Sequence, residues 1–78
     1  MIKELDCVAL TANLPDYGLE VGDVGAVVHV YRGGQSYQVE FTTFDGRTVA
    51  VAKVSANQIR LLGDKEIHHA RALEPATR

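Results

Sequence analysis

Turn-forming residues punctuate this chain at intervals too short for a helical domain. Asn13-Leu14-Pro15-Asp16, Gly22-Asp23, Gly33-Gly34, Asp45-Gly46 and Gly63-Asp64 mark five breaks, and the runs between them are short and rich in Val, Tyr, Phe and Thr. β-branched and aromatic residues suit a pleated, half-buried backbone, and closely spaced turns divide such a chain into a small barrel or sandwich. The spacing predicts strands at about 5–11, 24–31, 36–43, 47–54 and 59–62. Ser55-Ala56-Asn57-Gln58 is too short for an α-helix and suits a single 3₁₀ turn.

The two central turns predict more than strand limits, because a two-residue hairpin turn fixes which residues face each other. A turn at Asp45-Gly46 pairs Phe44 with Arg47, then Phe41 with Ala50, Val39 with Ala52 and Tyr37 with Val54. A turn at Gly33-Gly34 pairs Val30 with Tyr37, Val28 with Val39 and Ala26 with Phe41. Both registers put Tyr37, Val39 and Phe41 on one face with Ala26, Val28, Val30, Ala50, Ala52 and Val54, so large residues oppose small or branched ones, as a dense core requires. The other face then carries three rows: Gly25, Thr42 and Val49; Val27, Glu40 and Val51; His29, Gln38 and Lys53. Alternation of this kind marks an antiparallel sheet with one wet face. Here that face is unusually apolar.

The chain has 78 residues, enough for one core and little besides. The expected fold is all-β, a small five-stranded SH3-like barrel over residues 1–62, followed by a C-terminal tail or short helix over 63–78. In that tail Asp64 is placed as an N-cap and Pro75 as a stop; a helix so short either docks through Ile67 and Leu73 or frays.

The stretches Asp6-Cys7-Val8-Ala9-Leu10, Leu14-Pro15 through Gly18-Leu19, Val21-Gly22-Asp23-Val24-Gly25-Ala26-Val27-Val28 and Tyr37-Gln38-Val39-Glu40-Phe41, with Asp45-Gly46-Arg47-Thr48 and Gln58-Ile59-Arg60, carry a family pattern. Over about the first four-fifths of the chain it resembles a family of short bacterial proteins known as domain of unknown function 4926. The resemblance implies an SH3-like barrel without an established activity and a link to toxin and antitoxin gene pairs. The tail after Gly63 lies outside it.

Charge and motif content narrow the function. The net charge is -2, and Lys3, Arg32, Arg47, Lys53, Arg60, Lys65, Arg71 and Arg78 are interspersed with acids. Nucleic-acid binding draws most of its affinity from basic stripes that displace counterions, and none is visible. The segment Val21–Val27 is similar to the glycine-bearing loop and strand of KOW-type domains, some of which bind RNA, but the loop here carries Glu20 and Asp23 where such a surface wants Lys or Arg. Its glycines are read as architecture, supplying positive φ or a close strand approach. Proline-rich recognition needs an aromatic groove, yet the chain has no Trp and Tyr37 is assigned to the core.

His29, His68 and His69 compose no spacing for a zinc site or a general base, and Asp16, Glu20 and Asp23 read as a solvated loop. Catalytic, metal and cofactor residues are therefore expected to be absent. Cys7 is the only cysteine, which excludes an intrachain disulfide; it is expected to be a buried thiol in a reducing cytoplasm. No signal-peptide or membrane-spanning stretch is apparent. The expectation is a non-enzymatic protein-binding module, self-associating or a neutralising or accessory partner of a neighbouring gene product, with partner-binding residues Val27, His29, Glu40, Val49, Val51 and Lys53. The alternative is a KOW-like nucleic-acid-binding domain.

Overall fold

The computed structural model describes residues 2–73. Its strands are β1 (Cys7–Leu10), β2 (Val24–Tyr31), β3 (Ser36–Thr42), β4 (Thr48–Ser55) and β5 (Ile59–Leu61), with 3₁₀ turns at Pro15–Tyr17, Arg32–Gly34 and Ala56–Gln58. The protein is all-β. Every strand pairing is antiparallel, in one sheet of order β4-β3-β2-β1-β5.

That order puts β4 and β5 at opposite edges, although only Ala56–Gln58 separate them in the chain. A flat five-stranded sheet would hold its edges about 19 Å apart at about 4.8 Å per strand spacing. A 3₁₀ turn advances only about 2 Å per residue. The sheet is therefore strongly curved, so that the end of β4 at Ser55 comes near the start of β5 at Ile59. Ser55 and Gln58 fasten the junction as a capping box, Thr11 N–H donates to the Gln58 carbonyl at 2.8 Å, and Ala56 N–H donates to the Gln35 carbonyl at 3.3 Å.

Inside the curve lie Val8, Leu10, Leu19, Val27, Tyr37, Val39, Phe41, Ala52, Val54 and Ile59, each at most 5% exposed. In the β3–β4 ladder Tyr37 faces Val54, Val39 faces Ala52 and Phe41 faces Ala50, as expected. The turn differs. Thr43 N–H donates to the Arg47 carbonyl and Gly46 N–H to the Thr43 carbonyl, both at 2.9 Å, with Gly46 at φ 90°. Three residues, Phe44-Asp45-Gly46, thus make the connection, and the ladder regains its register by a bulge at Val49, where Thr42 pairs with Thr48. Phe44 does not pair with Arg47; it stands at the tip, 96% exposed.

The β2–β3 turn keeps its expected form, with Gly33 and Gly34 both at positive φ and Val30 opposite Tyr37. Beyond it β2 departs from expectation. The register shifts between Val27 and His29, so Val27 faces Val39 and Ala26 faces Glu40. Val28 is the extra residue of this bulge and is exposed. Val27, placed by the sequence on the wet face, is wholly buried, whereas Ala26 and Val28, placed in the core, turn outward. Burying Val27 brings β2 close to β3 at Gly25, where an added Cβ would lie 2.7 Å from Val39 Cγ1 and 2.8 Å from the Glu40 carbonyl oxygen. Only glycine fits there.

Candidate partner-binding face

The outer face is built from rows that cross the sheet. Cys7, Ala26, Glu40 and Val51 form one across β1 to β4, and Ala9 and Val24 begin another beside it. Cys7 is exposed, contrary to the buried thiol expected, because it shares a face with Ala9 while Val8 and Leu10 point into the core. Ala9 is nonetheless buried. The chain after β5 returns over this part of the sheet, leaving a crevice of about 280 Å³ whose lining includes Ala9 and Val24 on one side and Ile67 and His68 on the other.

This returning segment forms no helix over 64–73; Ile67, 95% exposed, does not dock, whereas Leu73, 43% exposed, lines the groove beside the sheet. Pro75 lies outside the described residues. Two arginines fasten the segment through three ion pairs. Arg60 grips Glu66 with two bonds of 2.8 Å, and Glu66 also accepts from Gly63 N–H, which together hold its carboxyl down at a pKa of about 2. Arg71 is the deeper anchor. Its Nε and Nη2 donate to the two oxygens of Asp23 at 2.8 and 2.7 Å, Nη2 reaches the Gly18 carbonyl at 3.1 Å, and Nε lies 2.9 Å from Glu20. Asp23 is preset for this by accepting from Glu20 N–H at 2.9 Å. The Arg71 guanidinium, aided by that backbone bond, holds the Asp23 carboxyl below the usual range. Glu20 and Asp23 are thus partners of the tail, not merely a solvated loop.

Between the tail and the β3–β4 hairpin the outer face stays open as a groove of about 590 Å³. Its lining includes Cys7, Ala26, Glu40, Phe44 and Val49 from the sheet side, and Arg71, Ala72 and Leu73 from the tail. Glu40 is half-buried; its Oε2 accepts from the Thr48 hydroxyl at 2.7 Å, and Oε1 has no partner among the described residues.

The residues expected to bind a partner divide into three. Glu40 and Val49 line the groove, with Val51 beside Glu40 and 43% exposed. His29 and Lys53 gather some distance along the face around Tyr31: the His29 ring meets that of Tyr31 edge-on at 4.5 Å, and Lys53 Nζ sits 4.7 Å from its centre. Val27 belongs to the core. Sequence reasoning missed Val28, Phe44 and Arg71. An apolar residue inside a turn, as Phe44 is, was a readable sign; Arg71 gave none, because its partners lie some fifty residues away in sequence.

No group of three or more His, Cys, Asp or Glu side chains able to hold a metal converges among the described residues, nor is any helix there long and apolar enough to cross a membrane. Fold and face together define a small all-β protein that presents one open, partly apolar sheet surface. The chain belongs to the family described as Domain of unknown function (DUF4926), whose model matches residues 4–61. No curated protein and no solved structure matches it significantly. The matched span contains the whole sheet and the acidic anchor Glu20 and Asp23, while Arg71 lies beyond it.

Proposed function

We propose that this protein is a non-catalytic protein-binding module that engages its partner through the outer face of the sheet. The observation that carries this is the collection of exposed apolar side chains, Val28, Val51 and Phe44, on one side of so small a molecule. Apolar patches left open to water are characteristic of surfaces that another molecule covers. The partner is a second copy of the chain or the product of a neighbouring gene, a toxin to be neutralised being one such product.

Light scattering across a concentration series tests the first form, and co-purification with the products of neighbouring genes the second. Replacing Val28 and Val51 together with Thr keeps β-branching while removing apolar area. The double variant is expected to melt like the parent and to lose its assembly; an equally stable variant that retains its partner would rule out this face. A second reading, nucleic-acid binding of the KOW kind, is favoured by the contact of Lys53 and His29 with Tyr31. It requires low-salt binding of oligouridine that Tyr31→Ala abolishes.

A further inference from the structure

The open groove contains two carboxylates, and they differ in state. Asp23 is already gripped by Arg71, but among the described residues Glu40 has only the Thr48 hydroxyl on one oxygen and no partner on the other. The groove around Glu40 is mixed but mostly apolar: Ala26 lies beside Glu40 on β2, Val49 and Phe44 toward the hairpin and Ala72 and Leu73 along the tail, with Thr42, Thr43 and His68 among them and Arg71 already turned to Asp23. At about 590 Å³ the space is of the size, about 300–1,000 Å³, in which proteins hold ligands. A half-buried carboxylate with a free oxygen, set among mostly apolar walls, is complementary to a cationic side chain flanked by apolar ones.

The molecule supplies its own example of such an occupant. Residues 63–73 cross the adjoining part of this face without forming helix or strand, and an arginine between two alanines, Ala70-Arg71-Ala72, fixes them by a two-pronged bond to Asp23. The guanidinium fork matches a carboxylate in a way an ammonium cannot. Resting on the protein-binding reading above, we propose that the groove over Glu40 receives an irregular or extended segment of a partner protein, with an arginine directed to Glu40 and small or apolar residues on either side.

The probe is an acetylated, amidated peptide of the chain's own His69–Leu73, titrated into the full-length protein with backbone amide shifts as the readout. Saturable shifts are expected at Cys7, Ala26, Glu40 and Thr42. Replacing the peptide's arginine with glutamine, or Glu40→Gln in the protein, should weaken binding about tenfold or more, since both remove a charge-assisted bond. Shifts confined to Gly18–Asp23 would mean that the peptide only displaces the tail from Asp23, and would overturn the assignment to Glu40. Equal binding by the glutamine peptide, or no saturable shift, would overturn it as well. Should the peptide fail while the Val28 and Val51 substitutions still abolish assembly, the face binds by apolar contact alone and only this inference falls.

Discussion

Val27 lies across the ladder from Val39, and His29, two residues on, lies across from Gln38, only one residue back. Val28 is the surplus residue. A strand's side chains alternate faces, so one unpaired residue exchanges the faces of everything on one side of it. The outer surface of β2 therefore carries Val24, Ala26, Val28, His29 and Tyr31, and its inner surface Gly25, Val27 and Val30.

Two neighbouring valines should consequently respond oppositely to one substitution. Val27→Thr buries a hydroxyl in an apolar site and is expected to cost about 1–3 kcal/mol. Val28→Thr should stay within about 0.5 kcal/mol of the parent. Urea midpoints of the two variants compare them directly, and similar midpoints would mean that the bulge is misplaced.

Phe41 and Phe44 form a second contrasting pair. Phe41 is 3% exposed in the middle of the core, and Phe41→Ala is expected to cost about 3–5 kcal/mol, enough to threaten folding in a domain of this size. Phe44→Ser should leave the thermal midpoint nearly unchanged, because the ring touches mostly water.

Gly25→Ala is expected to destabilise by about 1–3 kcal/mol, through forced contact with the Glu40 carbonyl and the Val39 side chain rather than through backbone strain. Chemical shifts of Val39 and Glu40 should move with it. A variant as stable as the parent would show that β2 and β3 are farther apart than described.

The tail latch carries a pH dependence whose sign follows from Asp23. Its carboxyl titrates below the ordinary value near 3.8, chiefly because Arg71 donates to it, so the contact is complete above the ordinary carboxylate range. It is lost as pH falls through the lowered value. An NMR titration should show the tail loosening in that acidic window, and Arg71→Ala should move the Asp23 midpoint upward; an unmoved midpoint would place Arg71 elsewhere.

Cys7 should react with a thiol reagent in the folded protein as readily as in urea, because it is exposed on the outer face. A thiol protected until unfolding would contradict the position of β1.

What the sequence disclosed follows the range of the interactions involved. The Gly33-Gly34 turn and the pairing of Tyr37, Val39 and Phe41 with β4 are set by neighbours, and all were legible. The bulge was not, since Val27-Val28 reads as one uniform apolar pair and only packing against Val39 decides which valine is buried. Of the expected binding residues, Glu40, Val51, His29 and Lys53 lie outside the core, Val49 is half-buried against it, and Val27, on the wrong side of the bulge, is inside it. The burial of Ala9 and the grip on Asp23 depend on residues 60–73, which are far from them in sequence.

The place of β1 between β2 and β5 affects how the molecule is made. β2, β3 and β4 are joined by tight connections and can pair as each emerges from the ribosome, since short loops close at little entropic cost. β1 is synthesised before them all but cannot cover its second edge until Ile59–Leu61 have appeared. During that wait its outer backbone groups are open to any passing strand. The short link Ala56–Gln58 then delivers β5 to it almost as soon as β4 is in place.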